Sequence, residues 1–221
     1  MIRDFVSLIF PQNCINCQQS LISEEKFICT ACKIDLPLTN DHKNTDNDLF
    51  TKFAFESKVM SATSFLYFIK GGITQKLLHE VKYKGKKELA VLLGLLFAPY
   101  LEDIKVDLIA PIPLHKSKLR RRTFNQSEQI SYGISSELDV EVNPHLIQRV
   151  VATNSQTRKA KVERWQNMRN VYSEAQTLLS GKSVLVVDDV ITTGATIGMF
   201  CQRLVEADVK EIHIASIARG K

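Results

Sequence analysis

Apolar and polar positions change rhythm along this chain in a way that separates strands from helices. Ala62 to Ile69 reads as a strand, and Gly72 to Val81 and Lys86 to Leu101 carry apolar residues three and four apart, the spacing of one helix face. VDLIAPIP, from Val106 to Pro113, is a short apolar run closed by two prolines, which suits a buried strand entering a loop. Asn125 to Leu138 returns to helical spacing, Lys182 to Val187 is another apolar run, Thr196 to Glu206 is helical, and Glu211 to Ile217 closes the series as a strand. Strands alternating with helices predict an α/β domain with a mainly parallel sheet, whose ligands gather at the carboxyl ends of the strands.

The region before this alternation has a different character. With 221 residues and 44% hydrophobic content, the chain has enough material for one well-buried core and a small appendage. Four of its five cysteines crowd the start as CINC and CTAC, two CxxC knuckles with eleven residues between them. That spacing lets Cys14, Cys17, Cys29 and Cys32 converge on one structural Zn²⁺. Disulfides are disfavoured in a reducing cytosol, and a thioredoxin-like pair needs one CxxC at the head of a helix. Cys201 falls in a helical apolar pattern and reads as an inert core residue. Asn40 to Lys58 is polar and rich in Asn and Asp, as a connection would be. The expected organisation is a zinc-ribbon module over 1–40, a linker over 41–60 and the α/β domain over 61–221. No run reaches the roughly 18 apolar residues of a membrane span, and the opening apolar segment is short for a secretory signal, so a cytoplasmic protein is expected. A net charge of +5 does not by itself announce nucleic-acid binding.

The chemistry concentrates in VLVVDDVITTGATI, Val184 to Ile197. If the apolar run is a central strand, Asp188 and Asp189 stand at its carboxyl end, in the ligand cleft. Ile191, Thr192, Thr193, Gly194, Ala195 and Thr196 then supply a turn whose glycine permits close backbone approach and which opens a helix. Unpaired N–H groups and the helix dipole attract an anion there. Carboxylates beside an anion-binding turn suit a sugar phosphate, with hydroxyls donating to the acids and the phosphate held by the turn. A receiver domain is ruled out because its VLVVDD opens the domain, and here too little chain follows. Neither GxxxxGK[ST] nor a strand-following GxGxxG is present. The bland alternative is a strand and turn whose acids merely cap and solvate.

Two basic stretches accompany it. Lys116, Lys118, Arg120, Arg121 and Arg122 lie between His115 and Gln126 with no acid among them, and read as a cationic loop leaving a strand end, suited to a diphosphate. Each also reads as a solvated surface charge, and His115 as either a donor or a structural histidine. Arg149 to Arg169 is the second, and contains Trp165, which reads as packing or, more boldly, as a base-stacking platform.

VLVVDDVITTGAT resembles the 5-phosphoribosyl-1-diphosphate (PRPP) signature of type I phosphoribosyltransferases. The whole chain resembles the ComF family, through the cysteine knuckles, HEVKYKG, PIPLHKSKLRRRTFNQSE, SQTRKAKVERWQN and the PRPP loop. One departure is Thr123, where that family usually has glycine. The resemblance implies a type I phosphoribosyltransferase-like sheet flanked by helices, with Asp188 and Asp189 on the ribose hydroxyls and residues 191–196 on the 5-phosphate. It also implies Leu114, His115 and Lys116 at the diphosphate, Mg²⁺ travelling with PRPP, and a mobile loop matched at Gln156, Arg164 and Asn167. Its cellular implication is support of DNA uptake in natural transformation. The alternative is a non-catalytic factor that binds single-stranded DNA or bridges a competence helicase through its basic loops and zinc ribbon.

Overall fold

The strand readings resolve into one sheet in the computed structural model, which describes residues 12–22, 24–151 and 171–220. Four parallel strands run in the order β1-β4-β3-β2: β1 is Val59–Tyr67, β2 Leu108–Pro111, β3 Ser183–Ile191 and β4 Glu211–Arg219. The helices are α1 (Thr30–Ile34), α2 (Asp48–Thr51), α3 (Ile73–Tyr83), α4 (Lys87–Phe97), α5 (Lys116–Arg122), α6 (Gln126–Leu138) and α7 (Ala195–Glu206). The expected α/β class with a mainly parallel sheet is the observed one.

Alternation along β3 explains the layers. Leu185 and Val187 enter a core with residues of α3, α4 and α6, whereas Val184 and Val186 enter a second core with α7, Leu146, Ile147 and Tyr172. Both faces are covered, so the strand reads as an unbroken apolar run. Helices α4 and α6 meet at backbone distance because Gly94 and Gly133 face each other: a Cβ on Gly94 would lie 2.2 Å from the Ile130 carbonyl oxygen. No larger residue fits there without separating the helices.

Two departures from the sequence reading bear on the site. Strand β3 runs on to Ile191 because Asp188 and Val190 remain paired with Ser216 and Ala218 of β4, so the acids lie within the second half of the strand rather than after it. The basic stretch 116–122 is not a loop but helix α5. Its Lys, Leu and Arg residues are good helix formers, and His115 caps it by accepting the Ser117 N–H at 3.2 Å through Nδ1. Thr123 ends α5 at φ 68°, the left-handed conformation that glycine adopts at low cost and that strains a β-branched residue.

The polar segment after residue 40 is folded onto the sheet. Asn47 caps α2 by accepting the N–H groups of Leu49 and Phe50, and donates to the Ala62 carbonyl of β1 at 2.9 Å. Asp41 is 4% exposed and receives a two-pronged bond from Arg219 of β4, Nε to Oδ2 at 2.9 Å and Nη2 to Oδ1 at 2.8 Å, plus the Ser64 N–H. Composition reported the polarity of these side chains; their burial comes from partners far along the chain.

Candidate functional site

The cysteine cluster is built locally. Cys14, Cys17, Cys29 and Cys32 bring their sulfur atoms within 4.8 Å of one another, with Cys17 and Cys29 at 3.7 Å. Sulfurs placed about 2.3 Å from a tetrahedral Zn²⁺ would stand a little under 4 Å apart, so the set fits that ion. The Cys29 N–H donates to Cys14 Sγ at 3.4 Å and Asn16 Nδ2 to Cys32 Sγ at 3.3 Å, the outer bonds that orient thiolate ligands. Burial opposes ionisation of Cys14, but the backbone N–H groups of Cys17, Cys29 and Asn16 outweigh it and bring the thiol down to about 6. Four protein ligands leave no coordination position for chemistry. The module packs on the main core through Ile28 and Leu36, and α3 reaches it by Lys76, which donates to the carbonyl and side-chain oxygens of Asn16. Cys201, on α7, is fully buried.

The second constellation gathers distant segments at the carboxyl end of β3. Asp188 Oδ1 accepts the Ser127 hydroxyl of α6 at 3.0 Å and the Asp189 N–H at 2.8 Å. Asp189 Oδ2 pairs with the Lys82 ammonium of α3 at 2.9 Å. The two acids therefore engage different helices. Burial, and then the neighbouring Asp189 charge, pushes the Asp188 carboxyl up to about 7. Beyond them the chain turns around a hollow of about 30 Å³ lined by Asp188 and Val190 to Ile197. Gly194 stands at φ 80° as the N-cap of α7. A Cβ there would also lie 2.9 Å from the buried Phe53 ring. Lys52 donates to the Thr192 carbonyl at 3.1 Å, so the α2 segment braces the turn from behind. A larger cavity of about 520 Å³ shares Thr193, Gly194 and Ala195 with the hollow, but its remaining walls, including Phe55, Met199 and Gln202, contain neither aspartate.

The basic helix α5 follows β2, the neighbour of β3. Lys116, Lys118, Arg120 and Arg121 are exposed, while Arg122 is half-buried and donates to Gln126 at 2.9 Å. Burial, together with the charges of Arg149 and Arg122, pulls the Lys118 ammonium below its usual range, with Asp189 acting in the other direction. The same cleft thus holds cations and the acidic pair within electrostatic reach. Leu114 and His115 are half-buried at its entry, and His115 Nδ1 is engaged with Ser117. Tyr172 is 2% exposed, and burial drives its phenol well above the ordinary range, with the Asp188 charge among the further causes. Gln156, Arg164, Trp165 and Asn167 lie outside the described residues.

Sequence reading did not single out Lys82, Ser127, Lys52 or Phe53. Lys82 and Ser127 sit inside the stretches HEVKYKG and FNQSE, but which of those side chains reaches an acid depends on helix phase and sheet order. Lys52 and Phe53 carried no signal at all.

Residues 125–221 match the family described as the phosphoribosyl transferase domain. The chain is homologous to competence protein F of Haemophilus influenzae, at 33% identity over 116 residues that cover 52% of this chain and 51% of that one. It is also homologous to DNA utilization protein YhgH of Escherichia coli K12, at 27% over 150 residues, 65% of this chain and 66% of that one. The chain therefore spans about half to two thirds of the length of the curated relatives it matches. Among solved structures, a purine phosphoribosyltransferase from Pyrococcus horikoshii Ot3 aligns with TM-score 0.39 and 17% identity over 59% of this chain and 82% of that one. An adenine phosphoribosyltransferase from Thermoanaerobacter pseudethanolicus aligns with TM-score 0.40 and 17% identity over 62% and 83%. No helix among the described residues is long and apolar enough to cross a membrane.

Proposed function

We propose that this chain, a competence protein F homologue carrying a phosphoribosyl transferase domain, binds PRPP with Mg²⁺ and supports DNA uptake in natural transformation. The observation that carries the ligand reading is the hollow bounded by Asp188 on one side and the turn 191–197 on the other. The turn and the start of α7 hold the 5-phosphate through backbone N–H groups, with the hydroxyls of Thr192, Thr193 and Thr196 as further donors. Asp188 and Asp189 accept hydrogen bonds from the ribose hydroxyls. Lys116, Arg120, Arg121 and Arg122 of α5, with Leu114 and His115 at its entry, face the diphosphate. Magnesium would neutralise part of the diphosphate charge when bound with PRPP.

In transfer chemistry, the bond between C1 and the diphosphate breaks as a nucleophilic acceptor bonds to C1; C1 gains positive character on the way and diphosphate leaves with the bonding electron pair. The side chains of α5 stabilise the departing anion, so catalysis rests on positioning and electrostatics and requires no protein nucleophile. Zinc in the cysteine cluster holds the amino-terminal module folded and takes no part in transfer. A reducing cytoplasm would keep these thiols free for the metal. Calorimetry with PRPP and Mg²⁺ tests the site: the double replacement Asp188→Asn, Asp189→Asn abolishes binding while circular dichroism is unchanged, and undiminished affinity removes the assignment.

A second reading is favoured by the exposed cations of α5: the protein binds single-stranded DNA, or joins a competence helicase to it, and the sugar-phosphate pocket regulates this. Binding of an oligonucleotide then weakens steeply as salt rises. A flat salt response excludes the basic helix from DNA contact.

A further inference from the structure

The acidic pair has an electrostatic problem that the PRPP reading makes acute. Two adjacent carboxylates in a partly water-excluded cleft repel each other, and a ligand bearing several phosphate charges is repelled by both. The groups facing the pair are few. On β3 the acids are chain neighbours whose charges act on each other, α6 supplies the neutral Ser127 hydroxyl, and α5 supplies Lys118, whose charge reaches Asp189 from further off. From the segment beside β3, Tyr172 offers a neutral phenol and Arg149 lies over its ring, 5.8 Å from the centroid. Only the Lys82 ammonium makes a direct ion pair with either acid among the described residues.

Lys82 is placed for that task by its helix. It lies in the last turn of α3, where the carbonyl end of the helix dipole favours a cation. Its side chain is 19% exposed and that of Asp189 13%, so the pair is screened far less than a surface ion pair. Its preceding neighbour Val81 is buried in the core, which fixes the helix phase and hence the direction from which the ammonium arrives. The Lys82 charge also acts on Asp188, favouring its ionised form against burial and the Asp189 charge.

We infer that Lys82 is a positioning residue of the sugar-phosphate site: it cancels the charge of Asp189, so an anionic ligand meets an acidic pair carrying at most one net negative charge. This rests on the PRPP reading, and it assigns to HEVKYKG a role in the cleft rather than in packing alone. A purely structural ion pair would tie α3 to β3 without altering the charge that the ligand meets.

A double-mutant cycle separates the two. Lys82→Met, Asp189→Asn and the double variant are compared by calorimetry with PRPP and Mg²⁺, and the Asp188 carboxyl is titrated in each free protein by carbon-13 NMR. Lys82→Met weakens PRPP binding roughly tenfold and raises the Asp188 midpoint, because an uncompensated negative charge now stands beside it. Asp189→Asn loses ribose contacts but also removes the charge that Lys82 compensates, so the double variant loses less than the sum of the two single losses, and its Asp188 midpoint returns toward the wild-type value. Additive losses of affinity with an unmoved Asp188 midpoint overturn the inference and leave a structural tie. If wild-type protein does not bind PRPP, the ligand reading itself fails; the Asp188 midpoint still decides, and its failure to rise in Lys82→Met overturns charge compensation independently.

Discussion

The cysteine module and the acidic cleft are both polar constellations, yet they are built in opposite ways. The module gathers four identical ligands from a single short ribbon, a set that would leave a bound metal ion no open position. The cleft gathers unlike groups from α3, α6, β3 and the start of α7, and leaves a hollow beside a carboxyl that burial pushes up to about 7. A closed site spends its chemistry on folding, whereas an open one keeps charge available to a ligand. Helix α3 touches both, holding Asn16 of the first knuckle with Lys76 and Asp189 with Lys82.

The widest separation between the two regions is expected from Cys14→Ser. Three thiolates hold zinc far less well than four, so elemental analysis should find the metal lost and limited proteolysis should open residues before about Leu36, while PRPP binding persists. Zinc retained at full occupancy would contradict the metal assignment. Loss of PRPP binding as well would show that α3 transmits the damage and that the two regions are one functional unit.

Asp41→Ala probes the segment between them. Arg219 is left buried without its partner, and the Ser64 N–H loses its acceptor, so stability measured by urea unfolding should fall by about 3 to 5 kcal/mol. A loss below 1 kcal/mol would mean that water replaces the carboxylate.

Asp188→Asn sharpens the claim that the cleft stores unfavourable charge. A carboxyl raised to about 7 in the folded state, against an ordinary value in the unfolded one, favours folding at low pH and loses that contribution as pH rises from about 4 to about 7. The variant cannot ionise there. Its urea midpoint should therefore gain on the wild type across that window and hold a constant advantage above it. A difference independent of pH would remove burial of the charge as the cause.

The smallest effect is expected at Thr123, where the departure from the usual glycine coincides with a left-handed backbone. Thr123→Gly should stabilise the protein by about 1 kcal/mol in thermal melts, since the strain at the end of α5 is relieved without loss of a buried side chain. Destabilisation would mean that the Thr123 hydroxyl, which donates to the Arg122 carbonyl, contributes more than the strain costs.

Apolar runs located β1, β2, β3 and β4, and helical spacing located α3, α4, α6 and α7, because the buried positions of each are written locally. Sequence patterning misread 116–122, where a mostly basic surface helix has no apolar face to betray its period. It also read 41–60 as a connection, since the polarity of Asp41 and Asn47 says nothing about the partners that allow them to be buried.

What the sequence determined by itself was everything whose physics acts over a few residues: the cysteine spacing, the strand and helix repeats, and an acidic pair running into a Thr/Gly turn. The tertiary structure alone decided which groups face those acids. Lys82 and Ser127 stand 107 and 61 positions from their partners, and only sheet order and helix phase bring them within hydrogen-bonding distance. Electrostatic environment depends on separation in space, so the state of Asp188 and the compensation of Asp189 could not be read along the chain.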